Sequence, residues 1–266
     1  MDAWLNALKA LLMLIAGSYL LVCVLLYFGQ RKLLYYPQPA TPQLSQRLSA
    51  VSDVEFFVGD ITLRGWLVNP GRRRALLYYG GNAEQIEYNA DFFRSQLTDY
   101  SVYLIPYRGY GNNGGTPSEK ALYQDAEKIF AAIQPQYQSI SVMGRSLGSG
   151  IATYIAARLP VEKVVLVSPY DSIAKVAQGL YWMIPVKLLL RDKYNSLARA
   201  AKISVPTLIV YTDADQVVPA RHTLALAEQF NPNLVTVVNI ANADHASIGN
   251  QLLFESAVTQ FFESTP

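Results

Sequence analysis

Cysteine, histidine and charge are all scarce in this sequence. A single cysteine among 266 residues excludes an internal disulfide framework and a Cys-rich structural zinc site. Only two histidines are present, so a His-based general base has few places to sit. Charged side chains make up 16% of the chain, against about 25% in ordinary soluble domains. The 22 basic and 20 acidic groups nearly cancel. A net charge of +2 makes no strong field, and no nucleic-acid partner is expected. No internal repeat or low-complexity tract appears. With 51% hydrophobic residues and a mean hydropathy of +0.14, some segment must face something other than water.

That segment lies at the front. Ala10 to Gln30 carries no charge and is dominated by Leu, Val and Ile. About 20 apolar residues rising 1.5 Å each cross a hydrocarbon layer of roughly 30 Å. Trp4 precedes the run, and Tyr27, Tyr35 and Tyr36 mark its far end, where an aromatic belt sits. No small-residue cleavage site follows, which favours a retained anchor over a secretory leader. Cys23 falls inside the span and reads as a small apolar side chain. Lys9 on one side against Arg31, Lys32 and Arg47 on the other leans the C-terminal domain toward the cytoplasm. Residues 1–36 are thus read as anchor and flanks. Residues 37–50 are read as a stiff linker, beginning with three prolines between Pro37 and Pro42.

From Val51 to the end one α/β domain is expected. Val54–Val58 and Ile61–Val68 read as a hairpin turning at Gly59-Asp60. Near-continuous apolar strands then alternate with amphipathic helices, the pattern of a mostly parallel sheet flanked by helices on both faces. Strands are expected at Ala75–Tyr79, Val102–Tyr107, Ile140–Met143, Lys163–Val167, Thr207–Tyr211 and Val235–Ile240. Helices are expected at Glu84–Gln96, Ser118–Ile133, Leu147–Arg158, Ala220–Gln229 and Ser247–Phe262. The connection from Ser168 to Thr207 is too long for a simple crossover. Its apolar stretch Gly179–Leu190 is either a buried helix or a small cap, placed at about 170–202.

Gly144-Arg145-Ser146-Leu147-Gly148 matches G-x-S-x-G between an expected strand and an expected helix. A serine on so sharp a turn needs small neighbours two residues away on each side. Roughly 0.1 chance matches are expected at ordinary glycine and serine frequencies, so placement carries the weight. The serine needs a base. His222 begins a helix that reads as surface, whereas His245 follows the last strand at the same sheet edge as the serine. Asp213 and Asp215, after the strand Thr207–Tyr211, are both candidates to orient that imidazole, and Asp244 reads as turn-forming. Backbone N–H groups of Gly80-Gly81-Asn82-Ala83, with that of Leu147, are candidates for an oxyanion hole.

On these residues the chain resembles the membrane-anchored α/β-hydrolases of serine aminopeptidase-like and prolyl-oligopeptidase-like type. The patterns are Gly80–Ala83, Tyr107-Arg-Gly-Tyr-Gly111 with Gly115-Thr-Pro-Ser118, Gly144–Gly148, Asp215-Gln-Val-Val-Pro219, and Gln30–Pro37 after the anchor. The resemblance implies an α/β-hydrolase fold, favours Asp215 as the acid, and puts the second oxyanion N–H on Asn82. Gly80 stands where relatives usually carry His, so the oxyanion loop is expected to be shaped differently.

The reading implied is a membrane-anchored serine hydrolase with triad Ser146, Asp215 and His245, oxyanion amides Asn82 and Leu147, and no cofactor or metal. A carboxylic ester or thioester of a small-molecule or lipid-derived acyl group is the expected substrate. A serine peptidase of the aminopeptidase-like type is one alternative. A non-catalytic interaction module at the membrane is another, since fold alone never establishes catalysis. Ser146 in place of an aspartate nucleophile argues against halide or epoxide chemistry.

Overall fold

Strand residues that alternate in direction but are apolar at every position must be covered on both faces. In strand β3 (Arg74–Tyr79), Ala75, Leu77 and Tyr79 enter one buried cluster while Leu76 and Tyr78 enter another. In β6 (Val164–Val167), Val164 and Leu166 face the first cluster, and Val165 and Val167 the second. Each Val or Leu side chain among them contributes about 1.5–3 kcal/mol on full burial. A computed structural model, describing residues 2–40 and 50–264, shows how these faces are covered.

Eight strands form one sheet in the order β1-β2-β4-β3-β5-β6-β7-β8. The remaining strands are β1 (Val51–Val58), β2 (Ile61–Val68), β4 (Tyr100–Leu104), β5 (Ser139–Arg145), β7 (Thr207–Tyr211) and β8 (Val235–Asn239). The β1–β2 hairpin pairs antiparallel, and β2 runs antiparallel to β4; every other pairing is parallel. An N-terminal helix, α1, spans Asp2–Leu34. Among the helices that follow, α2 (Ala90–Gln96) supplies Ala90 and Phe93 to one face of the sheet. The other face receives α3 (Glu119–Ile133), whose Ser118 cap accepts the Ala121 N–H at 3.2 Å, and α4 (Leu147–Ala156), buried along almost its whole length. The insertion after β6 contains α5 (Ile173–Leu180), α6 (Val186–Leu189) and α7 (Leu197–Ala200). Last come α8 (Ala220–Ala227), whose Leu226 joins α3 and α4, and α9 (Leu252–Glu263), whose Phe254, Val258 and Phe262 lie with α2.

Two helices differ from expectation. The expected helix over Glu84–Gln96 is a 3₁₀ turn at Ile86–Asn89 followed by α2. The Glu84 carboxylate folds back onto the Gly81 N–H and Arg145 instead of opening a helix. The expected helix over Ser247–Phe262 likewise begins with a 3₁₀ turn at Ile248–Asn250. The insertion is no buried helix: Leu180, Tyr181, Trp182, Met183 and Leu188 are exposed.

By length and composition α1 is sufficient to cross a membrane, with a mean hydropathy of 2.5 in its most apolar window. Its C-terminal end is fastened to the domain. Arg31 forms a forked pair with Asp192 at 2.8 and 3.2 Å, and the Tyr35 hydroxyl sits 2.9 Å from that of Tyr194. The residues after α1 do not form a free spacer. Tyr35 is buried in the core, and the Gly111 N–H donates to the Gln38 carbonyl at 2.8 Å. The rest of the expected linker, at 41–49, lies outside the described residues.

Candidate active site

The last residue of β5 is Arg145, and α4 starts at Leu147, leaving one residue to turn the chain. Ser146 makes that turn at φ 48°, ψ −115°, in the left-handed half of backbone space that costs an L-residue about 1–3 kcal/mol. The flanking glycines make the turn possible. A Cβ on Gly144 would stand 2.3 Å from the Gly148 carbonyl oxygen, and one on Gly148 would stand 2.0 Å from that of Tyr79. The spacing of G-x-S-x-G is therefore a steric requirement of this strand–turn–helix.

Two loops at the same sheet edge meet the serine. The loop after β8 brings His245 Nε2 to 3.0 Å from Ser146 Oγ. The loop after β7 brings Asp215 Oδ2 to 2.7 Å from His245 Nδ1. A carboxylate there accepts a hydrogen bond from Nδ1–H, which keeps the proton on Nδ1 and leaves Nε2 as the acceptor for the serine hydroxyl. Asp215 is itself held, since its Oδ1 accepts the N–H groups of Val217 at 2.9 Å and Val218 at 2.8 Å. Burial pushes this carboxyl up, but the hydrogen bonds from His245 and the Val218 N–H outweigh it and hold the group below the ordinary carboxylate value. A carboxyl depressed in the folded protein contributes stability above its unfolded pKa, and the contribution is lost as pH falls through the folded value. An Asp215→Asn variant should therefore show a weaker loss of folding stability than wild type below about pH 4, measured by thermal unfolding across pH.

The alternatives left open by the sequence separate here. Asp213 turns to the Asn239 side chain, and Asp244 caps its own loop by accepting the Ser247 N–H at 2.8 Å. His222 is no surface residue. The start of α8 packs beneath the loop that opens the insertion, so His222 is buried with Nδ1 3.0 Å from Asp171 Oδ1.

The turn after β3 carries the remaining expected residues. A Cβ on Gly80 would lie 2.2 Å from Ile86 Cγ2, so Ile86 fills the space that a larger residue would need. The Gly81 N–H donates to Glu84. The Asn82 side chain accepts from Tyr36 N–H at 3.0 Å and donates to the Leu34 carbonyl at 2.6 Å, tying this turn to the end of α1. Leu147 is the first residue of α4, where helical N–H groups lack intrahelical acceptors.

One residue was legible in the motif but not in its role. Arg145, the variable position before Ser146, donates from Nη2 to the carbonyls of His245 and Ala246, both at 3.0 Å. Its Nη1 reaches Glu84 Oε1 at 3.1 Å, and Glu84 also accepts from the Tyr78 hydroxyl at 2.8 Å. One guanidinium thus joins the serine turn, the histidine loop and the Gly80–Ala83 turn. Both partners are largely buried, so removing one leaves the other charge uncompensated. Arg145→Met is expected to cost about 3 kcal/mol in chemical denaturation.

Comparison with known proteins bears on the fold that carries this site. The family model described as serine aminopeptidase, S33, matches residues 72–198, which include the Ser146 turn but end before Asp215 and His245. An uncharacterized protein of Mycobacterium tuberculosis is 30% identical over 256 residues, covering 92% of this chain and 91% of that one. Alpha/beta hydrolase domain-containing protein 17C of Xenopus laevis is 29% identical over 199 residues, covering 73% of this chain but only 62% of the relative. Among solved structures, a Pyrococcus furiosus esterase superposes with TM-score 0.69 at 19% identity, covering 86% of this chain and 98% of that one. A membrane phospholipase A superposes with TM-score 0.65 at 17% identity, covering 99% of this chain and 98% of that one. The chain belongs to the α/β-hydrolase family.

Proposed function

We propose that this protein is a membrane-anchored serine hydrolase that cleaves a carboxylic ester or thioester of a lipid-like acyl group. The observation that carries the reading is the continuous line from Ser146 Oγ through His245 to Asp215, at 3.0 and 2.7 Å, on a strained strand-to-helix turn. Ser146 attacks the acyl carbon as His245 Nε2 takes its proton. Asp215 holds the imidazole in the required tautomer and stabilises its charged form. The carbonyl oxygen becomes an oxyanion that the backbone N–H groups of Leu147 and Asn82 receive. His245 then returns the proton to the leaving alcohol or thiol. Water, activated by the same imidazole, attacks the acyl-enzyme and releases the acid. The residues described form no cluster suited to a metal ion, and the scheme routes no step through one.

Two features favour an acyl substrate presented by a bilayer. The helix α1 is long and apolar enough to cross a membrane, and its C-terminal turn binds directly to the Asn82 turn. The basic pair Arg31-Lys32 at that end sets the domain on the cytoplasmic side in this reading. The S33 family description keeps peptide bonds in view as the second reading.

Turnover of matched p-nitrophenyl esters with short and long chains, a long-chain acyl thioester and an aminoacyl amide, by the full chain in detergent micelles, tests the assignment. Higher kcat/KM for the long-chain ester or thioester than for the short ester is expected. Turnover of short water-soluble esters alone would remove the lipid assignment. An amide outpacing both ester classes would move the protein to the peptidases.

A further inference from the structure

Two polar side chains inside the anchor, Tyr19 and Gln30, are spent on the insertion. Tyr19, near the middle of the uncharged run of α1, donates its hydroxyl to the Met183 carbonyl at 2.8 Å. Gln30, at the end of that run, donates to the Leu189 carbonyl at 3.1 Å and accepts the Arg191 N–H at 2.7 Å. These contacts lay the segment Leu180–Leu189 along α1 from the level of Arg31 to the level of Tyr19. Twelve residues of helix correspond to about 18 Å, and half of a hydrocarbon core is about 15 Å. If α1 spans a bilayer, the tip of this segment lies deep within it.

The segment is built for that surrounding. Val176 to Val186 contains no charged residue. Trp182 is 77% and Leu188 82% exposed, and Leu180, Tyr181 and Met183 are exposed beside them. Irregular backbone tolerates hydrocarbon best where its polar groups are satisfied within the protein. Here much of the turn is closed internally, the N–H groups of Trp182 and Met183 at its tip being without a backbone acceptor among the described residues. Tyr181 N–H donates to Ala177 at 2.8 Å, Ile184 N–H to Tyr181 at 3.0 Å and Val186 N–H to Ile184 at 2.8 Å, while Pro185 has no N–H to satisfy. The Gln178 side chain donates to the carbonyls of Ile184 at 2.9 Å and Tyr181 at 3.3 Å, and Tyr19 covers that of Met183. Arg191, exposed and with its N–H on Gln30, stands at the level where α1 leaves its uncharged run. The exposed Lys187, two residues before Leu189, carries the one charge of the tip on a stem long enough to extend toward the interface.

We infer that the insertion tip, Leu180–Leu188, is a second membrane-embedded element, a re-entrant hairpin whose occupant surface is lipid hydrocarbon. The inference rests on the membrane anchorage proposed above and adds to it. An apolar cleft between α1 and the hairpin, lined by Leu26, Leu33, Ile173, Ala177, Ile184 and Leu189, then opens to acyl chains. Its wall continues to Leu34, whose carbonyl contacts the Asn82 turn at 2.6 Å. An acyl chain in that cleft approaches the candidate oxyanion turn without first entering water.

The test places an environment-sensitive fluorophore on single cysteines of the full chain in a Cys23→Ser background. Sites are Trp182→Cys and Leu188→Cys on the hairpin, Leu25→Cys on α1, and Ser95→Cys on the exposed side of α2. The protein is reconstituted in phosphatidylcholine vesicles containing a minority of phosphatidylglycerol. Quenching by a lipid spin-labelled near mid-chain is compared with quenching by aqueous iodide. The hairpin probes are expected to follow Leu25, with several-fold stronger lipid quenching than Ser95. Lipid quenching at Leu25 but iodide quenching at Trp182 and Leu188 would overturn the hairpin and leave the anchor standing. Iodide quenching at all sites would remove both. Protection from both quenchers at the hairpin would mean that another protein surface covers it, and would also overturn the inference.

Discussion

Ser146→Ala is expected to lower acyl-ester turnover by about 10⁴-fold or more while leaving the fold intact. The hydroxyl is the only atom removed, and its single contact of note is His245 Nε2 at 3.0 Å. The backbone strain at φ 48° is the same for alanine, so no new cost to folding enters. Asp215→Asn should be nearly as damaging through a different route. An amide donating to Nδ1 would force the imidazole into the tautomer with Nε2 protonated, unable to accept from Ser146; a loss of about 10⁴-fold follows from that inversion alone. Because the three groups act as a unit, Ser146→Ala combined with His245→Ala should cost little more than Ser146→Ala. A residual rate well above background in that double variant would be the share left to Leu147, Asn82 and substrate binding. Steady-state kinetics on one long-chain ester, with circular dichroism to confirm folding, checks each step.

The second large effect is on stability. Gly148→Ala puts a methyl 2.0 Å from the Tyr79 carbonyl oxygen and 2.6 Å from that of Gly80. Both neighbours are backbone: one ends β3 and the other opens the Gly80–Ala83 turn, so no flexible side chain can yield. Either α4 lifts from the sheet or the turn is displaced. The expected loss exceeds about 4 kcal/mol, in the range reserved for severe overpacking. Gly114→Ala is the matched comparison, because nothing lies within 4 Å of its added methyl. That change should stay within about 1 kcal/mol. Chemical denaturation of both variants in the same detergent separates the two, and a folded Gly148→Ala protein should still have lost turnover.

The framework was readable because it rests on local rules. Strands covered on both faces appear as unbroken apolar runs, and β7 lies at the expected Thr207–Tyr211. Helix α3 carries its own start signal in Ser118. The Ser146 turn was readable because glycine is compulsory on both sides of it. Elements shaped by distant partners were not readable. Glu84 reads as a helix opener until Arg145, more than sixty positions away along the chain at about 3 Å in space, draws it into the site. His222 reads as a surface residue because nothing near it in sequence reveals Asp171 above it. Tyr35 reads as an aromatic-belt residue and Gln38 as linker until the loops they pack on are in place. The insertion was ambiguous for a related reason: an apolar run has the same composition whether it faces a protein core or lipid.

The proposed nucleophile can be tested most directly by treating membranes that contain the full chain with a tagged fluorophosphonate and mapping the adduct. The expected result is a single modified residue, Ser146, with labelling abolished in Ser146→Ala and sharply reduced in His245→Ala. A folded wild-type protein that resists the probe, or an adduct on any other side chain, would contradict the assignment of Ser146 as an activated nucleophile.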